Sequence, residues 1–116
     1  MKVSIRKANS NDFDEVEALD RICCPEDQRV DTSEKHTHWW IGRNEDDLPV
    51  CYAGAKIWRG PEREHVLVLT RAGVLPQARG QKIQARLIKA RESFARRQNL
   101  IEIWTYTAHY NVASAN

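Results

Sequence analysis

The residues best placed to do chemistry are Val74-Leu75-Pro76-Gln77-Ala78-Arg79-Gly80-Gln81-Lys82-Ile83, where an apolar strand with an internal glycine passes into a basic helix. The first N–H groups of a helix have no carbonyl partner within it, so an anion can take them. The helix dipole, Arg79 and Lys82 add to the pull on negative charge. The same residues also fit an ordinary strand-to-helix turn with a solvated basic face, and the pattern alone leaves both readings open.

Other reactive side chains carry less. Cys23, Cys24 and Cys51 are odd in number, and a bridge between the adjacent pair would close a strained eight-membered ring. They read as small apolar residues in a reducing compartment. His36 and His38 with Cys23 and Cys24 match no common zinc spacing, and no metal site is assigned.

The elements that must position these groups follow from periodicity. With 116 residues, 41% hydrophobic and 29% charged, the chain has the size of one domain. Its mean hydropathy is -0.65. It has no run approaching the roughly 20 apolar residues of a membrane helix and no signal-peptide core at its start, so a soluble, cytoplasmic protein without membrane partners is expected. Residues 1–48 carry 7 Lys/Arg against 12 Asp/Glu, and residues 49–116 carry 11 against 4, so an anion would choose the second half.

Residues 2–7 alternate as a half-buried strand. Asn9-Ser10 then caps a helix whose apolar stripe is Phe13, Val16, Leu19 or Asp20, and Cys23, with Pro25 as the stop. Residues 25–38 show no periodicity and read as a loop with room for a short helix. Trp39-Trp40-Ile41 and residues 49–58 form a hairpin, with one tryptophan on each face, and Gly60-Pro61 makes the next turn. Residues 65–69 are continuously apolar, as in a central strand, which runs on to Val74. Gly73 within it marks a bulge or a close backbone approach. From Gly80 the period is helical, with Ile83, Leu87, Ala90 and Phe94 on one face. Residues 100–108 alternate as a last strand, and a helix-like segment starts at Asn111. The expected fold is a mixed α/β (α+β) domain, a largely antiparallel sheet with helices on both faces.

On residues 69–83 the chain resembles the acetyl-coenzyme-A-binding motif of the GCN5-related N-acetyltransferases, in which a Val-x-Pro strand leads to Arg/Gln-x-x-Gly-x-Gly/Ala at a helix start. Val74, Pro76, Arg79 and Ile83 fall in register, while Lys82 and Gln84 occupy the family's two small positions. Residues 3–8 resemble the family's opening, and residues 102–111 its later strand ending in Asn. The likeness spans almost the whole chain, although the family's closing Gly-Phe strand, and a Tyr in the helix after Asn, would fall beyond Asn116.

The resemblance implies acetyl-CoA as co-substrate and acetyl transfer to an amine of a small molecule or a protein. The pantetheine arm would pair with Ala72, Gly73 and Val74, and the pyrophosphate would sit on the amides of Arg79, Gly80, Gln81, Lys82 and Ile83, with Gln84 and Asn111 at its borders. Where some relatives carry Glu or His midway along the strand, this chain has Val66, Val68 and Thr70. Thr70, Glu64 and Tyr106 are the catalytic candidates, with His65 and His109 as further proton carriers. Acidic Glu26, Asp27, Asp31 and Glu34 would attract an amine, or belong to a solvated loop. A strand left open at residues 100–108 would invite pairing into a homodimer. Two other readings stand: a CoA-binding domain without catalysis, and a nucleic-acid module on Arg79, Lys82, Arg86, Lys89, Arg91, Arg96 and Arg97. The acidic first half of the chain argues against nucleic acid.

Overall fold

The computed structural model describes residues 1–58 and 66–105, together with the backbone of 109–111. The sheet has six strands in chain order: β1 (Ser4–Lys7), β2 (Thr37–Arg43), β3 (Pro49–Trp58), β4 (Val66–Val74), β5 (Glu102–Trp104) and β6 (His109–Asn111). All neighbours are antiparallel except β4 and β5, which are joined through helix α2 (Ile83–Arg97) and run parallel. A parallel pair needs such a crossover, and the strongly periodic basic segment supplies it.

Helix α1 (Phe13–Cys23) follows a 3-10 turn (Ser10–Asp12), and the Asn9 signal caps that turn rather than α1 itself: Asn9 accepts from the Asn11 amide and its own N–H reaches Asp12, a capping box worth about 1 kcal/mol. Asp12 is itself buried, gripped by both Arg6 nitrogens and by Arg43. The Arg6 guanidinium, foremost among its partners, holds the Asp12 carboxyl far below the usual carboxylate range.

The helices cover opposite faces. On the α1 side Val16 and Leu19 pack with Trp39, Ile41 and Tyr52, and on the α2 side Leu87 and Phe94 meet Trp40, Ala53, Leu67 and Ile103. Trp39 and Trp40 thus face opposite ways as expected, and both are buried. His38 lies on the α2 side against Phe94, with ring centroids 4.7 Å apart, whereas Cys23 ends α1 on the other face. No group of three metal-ligating side chains occurs among the described residues. No described helix is long and apolar enough to cross a membrane.

Three expectations are corrected, and two left open by the sequence are settled. Helix α2 begins at Ile83, not Gly80, because Gly80 (φ 85°) and Lys82 (φ 57°) take left-handed backbone that no helix continues through. The β4 irregularity falls at Thr70 and Arg71, since Ala53 pairs Ala72 while Ala55 pairs Leu69. Gly73 instead marks a close approach: a Cβ there would lie 2.6 Å from Tyr52 and 2.7 Å from Cys23. The last strand covers only Glu102–Trp104, and its outer edge is not open, because β6 pairs with it; Asn111 ends that strand rather than starting a helix. Residues 25–36 contain no helix. Arg91 does not belong to the basic surface: it is 3% exposed, and its Nη1 donates to the Gly54 carbonyl at 3.0 Å. The expected turn at Gly60-Pro61 lies outside the described residues, as do Glu64, His65 and Tyr106 and the side chains of His109 and Asn111.

Candidate functional site

Strand β4 has two halves. Val66, Leu67 and Val68 pair on one side with β3 and on the other with Glu102, Ile103 and Trp104. Beyond Val68 the β5 partner ends, and β4 runs on beside β3 alone. The Leu75 amide donates to Val50 at 2.9 Å, which fixes the alternation: Gly73 bonds across to Tyr52, while Ala72 and Val74 turn their N–H and C=O groups away from β3. Among the described residues these outward groups meet no neighbouring strand. The Val74 carbonyl accepts from Arg79 Nε at 3.2 Å, and the Val74 amide stays available to an extended ligand.

The chain then makes a 3-10 turn (Pro76–Ala78) and the left-handed positions Gly80 and Lys82 before α2. No acceptor among the described residues meets the amides of Gly80, Gln81, Lys82, Ile83, Gln84 or Ala85, and Lys82 gives α2 no side-chain cap. Six consecutive unmet donors thus lie beside the exposed Arg79 and Lys82, in a loop and a first turn rather than at a helix end alone, and alternation of backbone hand is the kind of geometry that can present such amides to an anion. Gln84 is exposed on that turn, and Ile83 is buried beneath it.

Sequence reasoning missed the support under this edge. Asp20, 2% exposed on α1, accepts from the Tyr52 hydroxyl at 2.5 Å and from Arg71 Nη1 at 3.0 Å. Burial, reinforced by the bond to Asp20, drives the Tyr52 hydroxyl well above its ordinary range. The Asp20–Arg71 ion pair ties α1 to the irregular point of β4, where Thr70 and Arg71 line one cleft although successive strand residues normally face opposite ways. The available signal was a carboxylate on the apolar stripe of α1, four residues after Val16.

That cleft, about 230 Å³, lies on the α1 side of the sheet beneath the segment joining α1 to β2, and Trp39, Lys56 and Glu34 also line it. Lys56 pairs with Glu34. The Thr70 hydroxyl is buried there without a partner among the described residues. Cys23 and Cys51 are not poised for reaction: burial raises the Cys23 thiol and pushes Cys51 up to about 11.

No curated protein matches the chain in sequence. Solved structures do. An aminoglycoside antibiotic 6'-N-acetyltransferase from Acinetobacter baumannii is 17% identical, with 92% of this chain and 80% of that one covered and a TM-score of 0.72. A GNAT-family acetyltransferase from Staphylococcus aureus is 17% identical over 90% of this chain and 72% of that one, with a TM-score of 0.69. The ribosomal-protein-S18-alanine N-acetyltransferase from Escherichia coli is 8% identical over 90% and 66%, with a TM-score of 0.70. At such identities these likenesses speak for the fold. The family model of the GNAT acetyltransferases matches residues 4–116, a span that includes the open strand edge and the unpartnered amides, and the chain belongs to that family.

Proposed function

We propose that the chain is an acyl-CoA-dependent N-acyltransferase that moves an acetyl group from acetyl-CoA to an amine of a small molecule or a protein. The single observation that carries this reading is a pair of main-chain donor sets without acceptors among the described residues, Ala72 and Val74 on the edge of β4 away from β3 and the amides of residues 80–85 beyond the turn. The first set suits the amide-bearing pantetheine arm, paired as an added strand, and the second suits a diphosphate. When bound, acetyl-CoA would supply the thioester carbon that an amine attacks. Structures similar in fold carry CoA itself or a CoA-linked bisubstrate analogue, which supports the donor.

The chain's own residues have three tasks. Arg79 and Lys82 balance phosphate charge, while Gly80 supplies the left-handed turn that lets consecutive amides face one ligand. Asp20, through Arg71, holds the irregular point of β4, and with it Thr70, at the end of the open edge. The Thr70 hydroxyl, unpartnered and buried, can donate to oxygen or sulfur as negative charge develops. Glu64 and Tyr106 are proposed to carry protons to and from the reacting centre, directly or through water. Glu34 and Asp31 at the cleft favour a cationic acceptor from solution.

A second reading, a CoA-binding domain without catalysis, is favoured by one observation: the carboxylates that line the cleft with Thr70 are already engaged, Glu34 by Lys56 and Asp31 by Ser33. Calorimetric titration with acetyl-CoA, followed by thiol release in the presence of an amine panel, separates the two. Binding with release supports acetyl transfer. Binding without release for any amine supports the second reading, and no binding removes both.

A further inference from the structure

Trp39 Nε1 and Thr70 Oγ1 are the buried side-chain polar atoms that find no partner among the described residues, and both residues line the same cleft. Thr70 has a place in the proposed chemistry; Trp39, 3% exposed, does not. An indole N–H can only donate, so its partner must be an acceptor, and an unmet buried donor is costly.

The ring cannot turn to solve this itself. A Cβ at Gly54 would stand 2.6 Å from Trp39 Cζ3 and 2.5 Å from Thr70 Oγ1, so the carbocyclic edge of the indole and the Thr70 hydroxyl share the space over that glycine. Tyr52 stacks on the ring, with centroids 6.3 Å apart and planes inclined by 27°. The indole is thereby pinned, with its nitrogen at the opposite edge from Gly54. The cleft is bordered by the segment between α1 and β2, fastened by Thr32 Oγ1 to Glu17 at 3.0 Å and by Glu34 to Lys56.

We infer that Trp39 Nε1 is a specificity determinant for the acceptor: it hydrogen-bonds a neutral oxygen, hydroxyl or carbonyl, carried a few atoms from the reacting amine, once the bordering segment yields. This rests on the cleft being the acceptor site of the proposed transferase. The neutral oxygen follows from charge. Lys56 and Arg71 are already matched by Glu34 and Asp20, and Asp31 adds a further negative group, so a carboxylate on the acceptor would meet repulsion whereas a hydroxyl or carbonyl would not. A site built to donate to oxygen also rejects the analogue that lacks it, because the donor is then left unmet.

The test uses ethanolamine and propylamine, which differ by one oxygen in place of a methyl group. In the ¹⁵N-labelled protein, the Trp39 indole resonance is identified by its loss in Trp39→Phe. It is expected to move downfield on titration with ethanolamine, with propylamine binding at least tenfold more weakly, and Trp39→Phe should bind both amines alike. An indole resonance indifferent to both amines, an equal response to each, or a tenfold preference that survives Trp39→Phe would overturn the inference. Should the variant fold poorly, the indole is assigned in the wild type from its contacts to Tyr52, and the wild-type titration decides. Acetyl-CoA added to the same sample reports separately on the amides of Val74 and residues 80–85, so failure of the donor reading would be seen there and not at the indole.

Discussion

The two halves of β4 share a strand and differ in what surrounds them. Val66, Leu67, Val68 and Leu69 are apolar, and the first three are bonded on both edges, so that half belongs to the core. Among the described residues, the half from Thr70 to Val74 is bonded on one edge only, opens with an irregular step held by a partly buried ion pair, and leads into six unpartnered amides. One half serves stability, and the other is the half we propose for a ligand. Substitutions should therefore separate the two kinds of effect.

The largest loss of stability is expected in the closed half. Leu67→Ala removes a fully buried side chain and should cost about 2–5 kcal/mol in denaturant unfolding, with acetyl-CoA affinity per folded molecule unchanged. A large change in affinity there would erase the distinction between the halves. In the open half, Val74→Pro deletes an amide that the β3 ladder does not use. It should weaken acetyl-CoA by at least about tenfold in calorimetry, the worth of roughly one hydrogen bond, while the unfolding midpoint moves much less than for Leu67→Ala.

A smaller effect of opposite sign is expected at the turn. Lys82 holds left-handed backbone (φ 57°) where the family motif has a small residue, so Lys82→Gly should stabilise the fold by about 1 kcal/mol, a rise of several degrees in Tm. Its amide is retained, and any lost affinity should shrink as salt is raised, because only a charge has gone.

Acid stability supplies a control outside both halves. The Asp12 carboxyl is depressed chiefly by its bonds to Arg6, so its contribution is complete above the unfolded value near 4 and declines as pH falls through the lower folded value. Asp12→Asn should flatten the stability profile between about pH 4 and pH 2 without changing donor affinity at neutral pH, as urea titrations across that range would show.

Much of the fold was legible because periodicity carries it. The Asn9 cap, the Trp39/Trp40 alternation, the apolar β4 and the stripe of α2 each depend on local spacing. The family was legible through Val74, Pro76 and Arg79 in register with a known motif. What escaped depends on contacts distant in sequence. Asp20 meets Tyr52 and Arg71 across 32 and 51 positions, and nothing near Asp20 announces either partner. The helix start was misplaced because Lys82 is a poor sequence signal for left-handed backbone, and the open edge at β5 was misjudged because so short a strand as β6 leaves no periodic trace.

The central claim is that the open half of β4 and the following amides form one donor-binding surface. Its most direct test is a ¹H–¹⁵N titration with CoA. The account predicts that the amides of Ala72, Val74 and residues 80–85 shift together with one saturation curve while those of Val66, Leu67 and Val68 stay still. Shifts confined to other parts of the chain, or none up to millimolar CoA, would contradict it.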